Sequence, residues 1–277
     1  MNNKKEYPKF SVLMSLYIKE KAEYFDECMQ SMLNQTVLPA EIVIVFDGPI
    51  SDKLRKIVDR YKAENPGWIK TVENEKNKGL GLALADGVLV CTYELIARMD
   101  TDDIAREDRF EKQLEMFMND SELDICGSHI IEFEGRIDNI LSKRNVPIKH
   151  KEIAEYQKQR SAFNHMTVMY KKSTVLRAGN YEHCPLMEDD MMWVRMLMSG
   201  AKCTNVDDYL VYARAGYAMI ERRGGWAYYK KYKSGKKKIL ETGYISKWDY
   251  FKTVGVQLVV ALVPKNIRLF IFTKLLR

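Results

Sequence analysis

The chain has 277 residues, of which 46% are hydrophobic and 30% are charged, a composition that fits a globular protein and excludes a disordered chain or a multi-span membrane protein. Its five cysteines are scattered and never spaced as Cys-x-x-Cys, which argues against a disulfide framework or a zinc site and favours the reducing cytoplasm. The net charge of +6 is uneven, because residues 221–277 carry 14 Lys and Arg against 3 Asp and Glu. A basic tail on a mildly acidic body favours a polyanionic partner, either a membrane surface or a nucleic acid.

The first half of the chain alternates strand-like and helix-like segments. Short apolar runs rich in β-forming residues predict five buried strands, at Lys9–Tyr17, Glu41–Phe46, Trp68–Val72, Glu94–Met99 and Leu123–Phe133. Amphipathic segments between them predict four helices, at Lys21–Gln35, Ser51–Ala63, Leu80–Val90 and Arg106–Met118. This alternation predicts a mainly parallel sheet that is covered by helices on both faces.

The second half is less regular. Its predicted elements are a helix at Lys149–Arg160, a strand at His165–Tyr170, a helix at Asp189–Ser199, a strand at Asp208–Ala213 and a basic, aromatic helix at Trp226–Leu240. Two further apolar runs, Val254–Val263 and Ile267–Leu276, are each shorter than the roughly 20 residues that span a bilayer. Their flanking Lys and Arg residues fit a helix lying on a membrane surface, but a helix that packs on the protein's own core fits equally well.

Three carboxylates lie within four residues, at Asp100, Asp102 and Asp103, directly after the predicted strand Glu94–Met99. Such carboxylates repel one another unless a cation or full solvation offsets their charge, and their oxygens suit Mg²⁺ or Mn²⁺. Ligands of open α/β sheets bind beyond the carboxyl ends of the strands, where both this cluster and Asp47 fall. The cluster therefore indicates a divalent-cation site, although acidic residues before a helix also occur without any ligand.

A second acidic group, Glu188-Asp189-Asp190, opens a predicted helix. A carboxylate at this position could accept a proton from an attacking hydroxyl, although the helix dipole explains acids there without any chemistry. His165, which begins a predicted apolar strand, is a weaker candidate, because a lone histidine is more often structural than functional. These groups indicate a site only when they are taken together with the first cluster.

Taken in order along the chain, these residues resemble the motifs of the inverting glycosyltransferases of family 2, over about Phe10–Arg214. The matching segments are Ser11–Tyr17, Gln35–Thr36, Glu41–Gly48, Asn77–Gly81, Ala97–Asp103, Arg109–Phe110 with Gln113, Asn164–His165, Gly179–Tyr181 and Glu188–Trp193. Each segment alone is a weak signal, whereas the ordered set at these spacings is specific. The resemblance implies a GT-A fold, a Rossmann-like α/β arrangement with a mixed, mainly parallel sheet flanked by helices.

The resemblance also implies roles for individual residues. The predicted nucleotide-binding residues are Ser15, Tyr17, Asp47, Gly79, Arg98 and Asp100. Mg²⁺ or Mn²⁺ would bind Asp102 and Asp103, and the sequence alone does not rank Asp100 against Asp103 as the assisting ligand. The aspartate of the family's Glu-Asp motif is its general base and maps to Asp189, with Glu188 and His165 on the acceptor side.

The activity expected from the resemblance is inverting transfer of a sugar from a nucleotide-sugar donor, by preference a UDP-sugar, to a hydroxyl of a glycan or lipid-linked acceptor in the synthesis of a bacterial surface polysaccharide. We expect a GT-A domain at residues 1–220, with its nucleotide-sugar half at about 8–118 and its acceptor half at about 119–220. Residues 221–277 would form a basic, amphipathic helical extension that docks on an anionic membrane surface. The expected location is the cytoplasm, including the cytoplasmic face of the inner membrane.

Three other interpretations are open. A haloacid-dehalogenase-like phosphatase also carries Asp-x-Asp after a strand, but nearer its N-terminus and with Thr or Val where Ile104 stands here. A sugar-phosphate nucleotidyltransferase would have a glycine-rich loop after its first strand, and residues 17–20 contain no glycine. A nucleic-acid-binding protein would use the basic, aromatic segment Arg222–Lys238, although nucleic acid is not the partner that the motifs favour.

Overall fold

The computed structural model describes residues 5–216 and 224–263. Its strands are β1 (Phe10–Leu16), β2 (Glu41–Phe46), β3 (Ile69–Glu73), β4 (Leu95–Arg98), β5 (Ile104–Ala105), β6 (Leu123–Phe133), β7 (Ile140–Arg144), β8 (Met169–Lys171) and β9 (Lys202–Arg214). Its α-helices are α1 (Ala22–Leu33), α2 (Asp52–Glu64), α3 (Leu80–Val90), α4 (Arg109–Asn119), α5 (His150–Gln157), α6 (Lys172–Arg177), α7 (Glu188–Met198), α8 (Gly225–Glu241) and α9 (Lys247–Leu262).

Within the described residues the strands form one sheet in the order β3-β2-β1-β4-β8-β6-β9-β5, with β7 paired to β6. Strands β3, β2, β1 and β4 are parallel, β8 is antiparallel to both of its neighbours, and β6 is parallel to β9. Every residue of β2 and β4 is buried, as the unbroken apolar runs predict for strands covered on both faces. The predicted mixed, mainly parallel α/β sheet is therefore confirmed.

Helices cover both faces of this sheet. On one face, α1, α2 and α4 bury Phe25, Leu54 and Phe110 in a cluster with β1, β2 and β4. On the other face, α3 and α7 bury residues such as Leu84 and Trp193. Strand β4 lies near the middle of the sheet and is buried between the two groups of helices.

A third cluster attaches the C-terminal helices to the rest of the molecule. Helices α8 and α9 pack against each other and against α7, and the cluster includes Met191, Tyr229, Ile239 and Val254. The predicted run Val254–Val263 thus belongs to a longer helix, α9, of which one face packs on the protein. Among the described helices, none has the length and apolar character needed to cross a bilayer. Arg222, Arg223 and the run Ile267–Leu276 lie outside the described residues.

The predictions were wrong in detail where an element is short or polar. The predicted strand His165–Tyr170 is a 3₁₀ turn at His165–Thr167 followed by the three-residue strand β8. Strands β5 and β7 and helix α6 were not predicted, because two to six residues are too few to show a periodicity. Strand β9 starts at Lys202 rather than at Asp208, and its early residues are mostly polar.

Candidate active site

The carboxylates of Asp100, Asp102 and Asp103 meet at the carboxyl end of β4. One oxygen of each lies within 4.8 Å of the others, an arrangement that could hold a metal ion. Asp100 and Asp102 are half-buried, whereas Asp103 is only 3% exposed. The three carboxylates of the predicted cluster therefore converge, and Asp100 and Asp102 are its more accessible members.

Two buried arginines fix the backbone before this cluster. The guanidinium of Arg98 pairs with Asp100 at 2.6 Å, and Arg109 on α4 donates to the carbonyl oxygen of Arg98 at 2.7 Å. Burial opposes the charge of Arg98, but the pairing with Asp100 outweighs it, so the pKa of Arg98 is raised and the group stays protonated. Nε and Nη1 of Arg98 are buried and have no hydrogen-bond partner among the described residues. These two donors are therefore unsatisfied within the described part of the chain.

Arg214, the last residue of β9, holds the other end of the cluster. Its backbone N–H donates to Asp103 Oδ1 at 2.7 Å, and its Nε donates to the carbonyl oxygen of Asp102 at 3.0 Å. Its guanidinium also pairs with Glu27 and stacks over the ring of Tyr24 at 3.8 Å. Because one oxygen of Asp103 is already occupied and Asp102 is not restrained in this way, Asp102 is the better-placed ligand of the two.

The electrostatics of the cluster fit a divalent cation. Burial and the charges of Asp100 and Glu20 raise the pKa of Asp102 to about 7. Burial and the charges of Asp102 and Asp100 likewise raise the pKa of Asp103 well above its ordinary value. Clustered carboxylate oxygens are the ligands that Mg²⁺ and Mn²⁺ prefer, and a bound cation would remove the repulsion that raises these pKa values.

The predicted nucleotide-binding residues lie at the neighbouring strand ends. Ser15 is half-buried near the end of β1, and Tyr17 follows it with 37% of its surface exposed. Asp47 follows β2 and is buried, and its two oxygens accept the backbone N–H groups of Lys78 at 2.6 Å and Gly79 at 3.1 Å. Asp47 therefore organises the loop that leads into α3, in addition to its predicted role.

The second acidic group forms the first turn of α7, and its members differ in environment. Asp190 is 8% exposed and accepts a hydrogen bond from Gln157 Nε2 at 2.7 Å, so it joins α7 to α5. Asp189 is half-buried, and burial together with the charges of Asp190 and Glu188 raises its pKa to about 7. A carboxylate with this pKa is a far stronger base than an exposed aspartate, so Asp189 is the better candidate of the two for the predicted general base.

His165 and Glu188, the other two residues predicted on the acceptor side, have different settings. His165 Nε2 is 3.0 Å from the hydroxyl of Tyr181, and its ring contacts Trp193 edge-on. Burial and the charge of Arg98 lower the pKa of His165 well below its usual range, so the imidazole is neutral at pH 7. Burial raises the pKa of Glu188, whose Oε2 has no partner among the described residues.

Arg98 connects the two acidic groups electrostatically. Burial raises the pKa values of Glu188 and Asp189, and the positive charge of Arg98 opposes that rise in both. The same guanidinium contacts Asp100 directly. Arg98 therefore pairs with one carboxylate of the Asp100–Asp103 cluster and acts electrostatically on Glu188 and Asp189.

Sequence reasoning missed three residues that shape this site: Arg214, Gln157 and Tyr181. Arg214 lies 111 residues after Asp103, and Gln157 lies 33 residues before Asp190, so neither pairing follows from a local pattern. The tyrosine stood in a matching segment, but its hydrogen bond to His165 depends on tertiary packing. Each of these contacts can be predicted only when the order of the strands or the packing of the helices is known.

Comparisons with known proteins agree with this geometry. Residues 11–183 match the family described as Glycosyl transferase family 2. The chain is 37% identical over 269 residues to the amylovoran biosynthesis glycosyltransferase AmsE of Erwinia amylovora, which covers 96% of this chain and 98% of that protein. It is 34% identical to the UDP-Gal:alpha-D-GlcNAc-diphosphoundecaprenol beta-1,3-galactosyltransferase of Escherichia coli, over 98% of this chain and 97% of that protein.

A solved structure shows the same fold. The mannosyltransferase PcManGT of Pyrobaculum calidifontis, in complex with GDP-Man and Mn²⁺, superposes with a TM-score of 0.63 at 15% identity, over 95% of this chain and 72% of that one. At this identity the likeness shows the fold alone, and it confirms the predicted GT-A architecture. The family match excludes the phosphatase, nucleotidyltransferase and non-enzymatic interpretations. The chain belongs to the family 2 glycosyltransferases and is a glycosyltransferase.

Proposed function

We propose that the protein transfers a sugar, with inversion, from a nucleotide sugar bound at the strand ends to an acceptor hydroxyl held at Asp189. The observation that carries this proposal is the pairing of two acidic groups around Arg98: a carboxylate cluster suited to a cation and an aspartate whose pKa is about 7. A base and a site for the leaving group that both lie within the electrostatic reach of one cation fit a single in-line displacement.

Asp189 takes the proton of the acceptor hydroxyl as the hydroxyl oxygen bonds to the anomeric carbon. The bond between that carbon and the diphosphate oxygen breaks, and the electron pair leaves with the nucleoside diphosphate. Mg²⁺ or Mn²⁺ on Asp102, assisted by Asp100, would stabilise the charge of that leaving group. Arg98 keeps Asp100 in place and offers its free N–H donors to the same phosphates. His165, being neutral, can orient the acceptor through a hydrogen bond.

The carrier nucleotide we propose is UDP, and the acceptor is a hydroxyl of a glycan or of a lipid-linked saccharide. The E. coli relative is named for a UDP-galactose donor and a diphosphoundecaprenol-linked acceptor, and the E. amylovora relative for the biosynthesis of a polysaccharide. Both match nearly the whole chain. We accordingly place the protein in bacterial surface polysaccharide synthesis, in the cytoplasm and at the inner face of the membrane, with residues 221–277 as the membrane-facing extension.

Donor binding tests the proposal directly. Calorimetric titration with UDP-, dTDP- and GDP-sugars, with and without Mn²⁺, should show metal-dependent binding of one nucleotide class. In Asp102→Asn, Mn²⁺ should no longer increase the affinity for the sugar nucleotide, because the carboxylate that we propose as the main metal ligand is lost. The matched control is Asp108→Asn, because Asp108 is a half-buried aspartate outside the cluster that pairs with Arg106.

Two results would contradict the proposal. One is a folded protein that binds no sugar nucleotide under any of these conditions. The other is binding that is as strong without metal as with it, and as strong in Asp102→Asn as in the parent protein. The carboxylate cluster would then not be part of the donor site. Loss of binding in both variants would point to a folding defect, and circular dichroism of each variant separates that case.

A further inference from the structure

One face of helix α9 is apolar and exposed. Trp248 is 76% exposed, Phe251 66%, Val259 61% and Leu262 71%. On a helix of 3.6 residues per turn, these positions and Gly255 share a single face, which we call the outer face of α9. Soluble proteins commonly expose single apolar residues that are scattered over the surface. A continuous row of aromatic and aliphatic side chains along one helix is larger than such isolated exposure.

The opposite face of α9 is also apolar and packs on the protein. Tyr250, Val254 and Ala261 belong to the third hydrophobic cluster, together with residues of α7 and α8. The helix begins at a complete capping box, in which Ser246 and Asp249 exchange hydrogen bonds. Its position is therefore fixed by its inner face and its cap, and the outer face is not needed for folding. A helix that is apolar on both sides requires a second partner.

Lysines lie along both edges of the outer face. Lys247 and Lys252 flank it on α9 itself, and the neighbouring helix α8 exposes Lys230, Lys233 and Lys237. The acids of α9 and α8 within the described residues are already engaged, since Asp249 caps α9 and Glu241 lies 3.8 Å from Lys237. The surface thus combines an apolar centre with a net positive rim, which matches an anionic partner that also offers an apolar interior.

We propose that the outer face of α9 lies in the interface of an anionic lipid bilayer, with Trp248 and Phe251 among the acyl chains and the lysines at the headgroups. This inference rests on the proposed location at the inner membrane face and assigns that contact to particular residues. Amphipathic helices with aromatic and leucine side chains on one side and lysines at the edges bind bilayers in this orientation. A second copy of the chain is a poorer partner, because a symmetric contact would bring identical lysines together.

Docking through α9 would also orient the active site. Helix α9 packs on α8, and α8 approaches the loop before α7 so closely that a Cβ on Gly235 would lie 2.5 Å from Met187 Cγ. Met187 directly precedes Glu188 and Asp189. Helix α8 therefore lies between the outer helix α9 and the residues that begin α7. With α9 on the membrane, a lipid-linked acceptor would reach Asp189 from the bilayer.

Vesicle binding tests this surface. The intact protein is sedimented with phosphatidylethanolamine vesicles that contain phosphatidylglycerol, and with phosphatidylcholine vesicles. We expect binding to the anionic vesicles only, reduced at least about 100-fold in Trp248→Ser/Phe251→Ser, because two aromatic side chains leave the bilayer. Each of Lys247→Gln and Lys252→Gln should weaken binding about fivefold. The matched control is Leu38→Ser/Leu89→Ser, two residues of similar exposure outside α9 that should leave binding unchanged.

The outcomes are separable from those of the donor-binding experiment. Equal vesicle binding by the intact protein and Trp248→Ser/Phe251→Ser would overturn the assignment, whatever the nucleotide result. The assignment would also be overturned if light scattering showed a dimer of the intact protein and a monomer of Trp248→Ser/Phe251→Ser. A second copy of the chain would then cover the outer face. Each variant should retain nucleotide binding, which shows that it is folded and that the loss is confined to the membrane contact.

Discussion

Replacing Asp189 with asparagine separates the chemical role of this carboxylate from its effect on stability. The substitution keeps the shape of the side chain and removes a negative charge that burial, Asp190 and Glu188 all disfavour. We expect turnover to fall about 10²–10⁴-fold, because no base remains to take the acceptor proton. We also expect the folded protein to become more stable at neutral pH, since a group tuned for catalysis is held in an unfavourable charged state.

The size of the stabilisation follows from the shifted pKa. The pKa of Asp189 is about 7 in the folded protein, against about 3.9 in an unfolded chain. The folded state therefore binds this proton more tightly, so stability is lost as pH rises from about 4, and the loss is complete above about pH 7. Three pKa units correspond to about 4 kcal/mol. We expect about half of this, because Asp189 is partly exposed and titrates together with its neighbours, giving a Tm increase of roughly 4–8 °C.

Calorimetric melting from about pH 4 to pH 8 tests this expectation. The melting temperatures of Asp189→Asn and the parent protein should coincide at the acid end, with the variant higher by pH 8. Asp190→Ala is the matched control, because Asp190 accepts the hydrogen bond of Gln157 and the loss of that acceptor should lower Tm at neutral pH. An Asp189→Asn variant that melts below the parent at every pH would refute the reasoning, since its carboxylate would then be stabilising.

Three further substitutions have defined outcomes. Asp190→Asn should move the acid limb of the pH–turnover profile to lower pH, because the charge of Asp190 helps to raise the pKa of Asp189. Arg214→Lys should weaken Mn²⁺ binding about 10–100-fold in a paramagnetic-resonance titration, since the side chain that holds the carbonyl of Asp102 is lost. Gly81→Ala should lower stability by about 1–3 kcal/mol in denaturant unfolding, because its Cβ would lie 2.4 Å from a backbone oxygen.

The controls for these substitutions lie elsewhere in the chain. Arg55→Lys, in a surface pair with Glu73, should leave Mn²⁺ binding unchanged. Gly255→Ala fills open space within a helix and should stabilise by roughly 0.5–1 kcal/mol. An unshifted acid limb in Asp190→Asn, unaltered metal affinity in Arg214→Lys, or a Gly81→Ala variant as stable as the parent would each contradict the geometry on which its prediction rests.

The parts of the fold that local pattern determines were predictable from the sequence. Strands β1, β2 and β4 are buried on both faces, and their unbroken apolar runs show this directly. The cluster Asp100–Asp103 could be placed at a strand end for the same reason. Strand β7 was not predicted because it is short and lies at the margin of the sheet, where its two apolar residues, Ile140 and Leu141, are exposed.

The sequence nominates residues for the candidate site but does not show the contacts among them. Asp189 and Asp190 are both acidic and adjacent, and the contact of Asp190 with Gln157 and the raised pKa of Asp189 distinguish them. The difference between Asp102 and Asp103 likewise depends on Arg214, which pairing with β6 and β5 brings to the cluster. Long-range contacts of this kind are set by strand order, which local periodicity does not contain.

The hydrogen bonds of Asp47 limit what this residue can distinguish in a donor. A carboxylate has about four lone-pair positions, and the backbone N–H groups of Lys78 and Gly79 occupy two of them. The positions that remain can only accept, and uracil, thymine and guanine all present a ring N–H. Asp47 can therefore tether a base without identifying it. Discrimination between carriers has to come from groups that contact the carbonyl and exocyclic substituents of the base, where the three nucleotides differ.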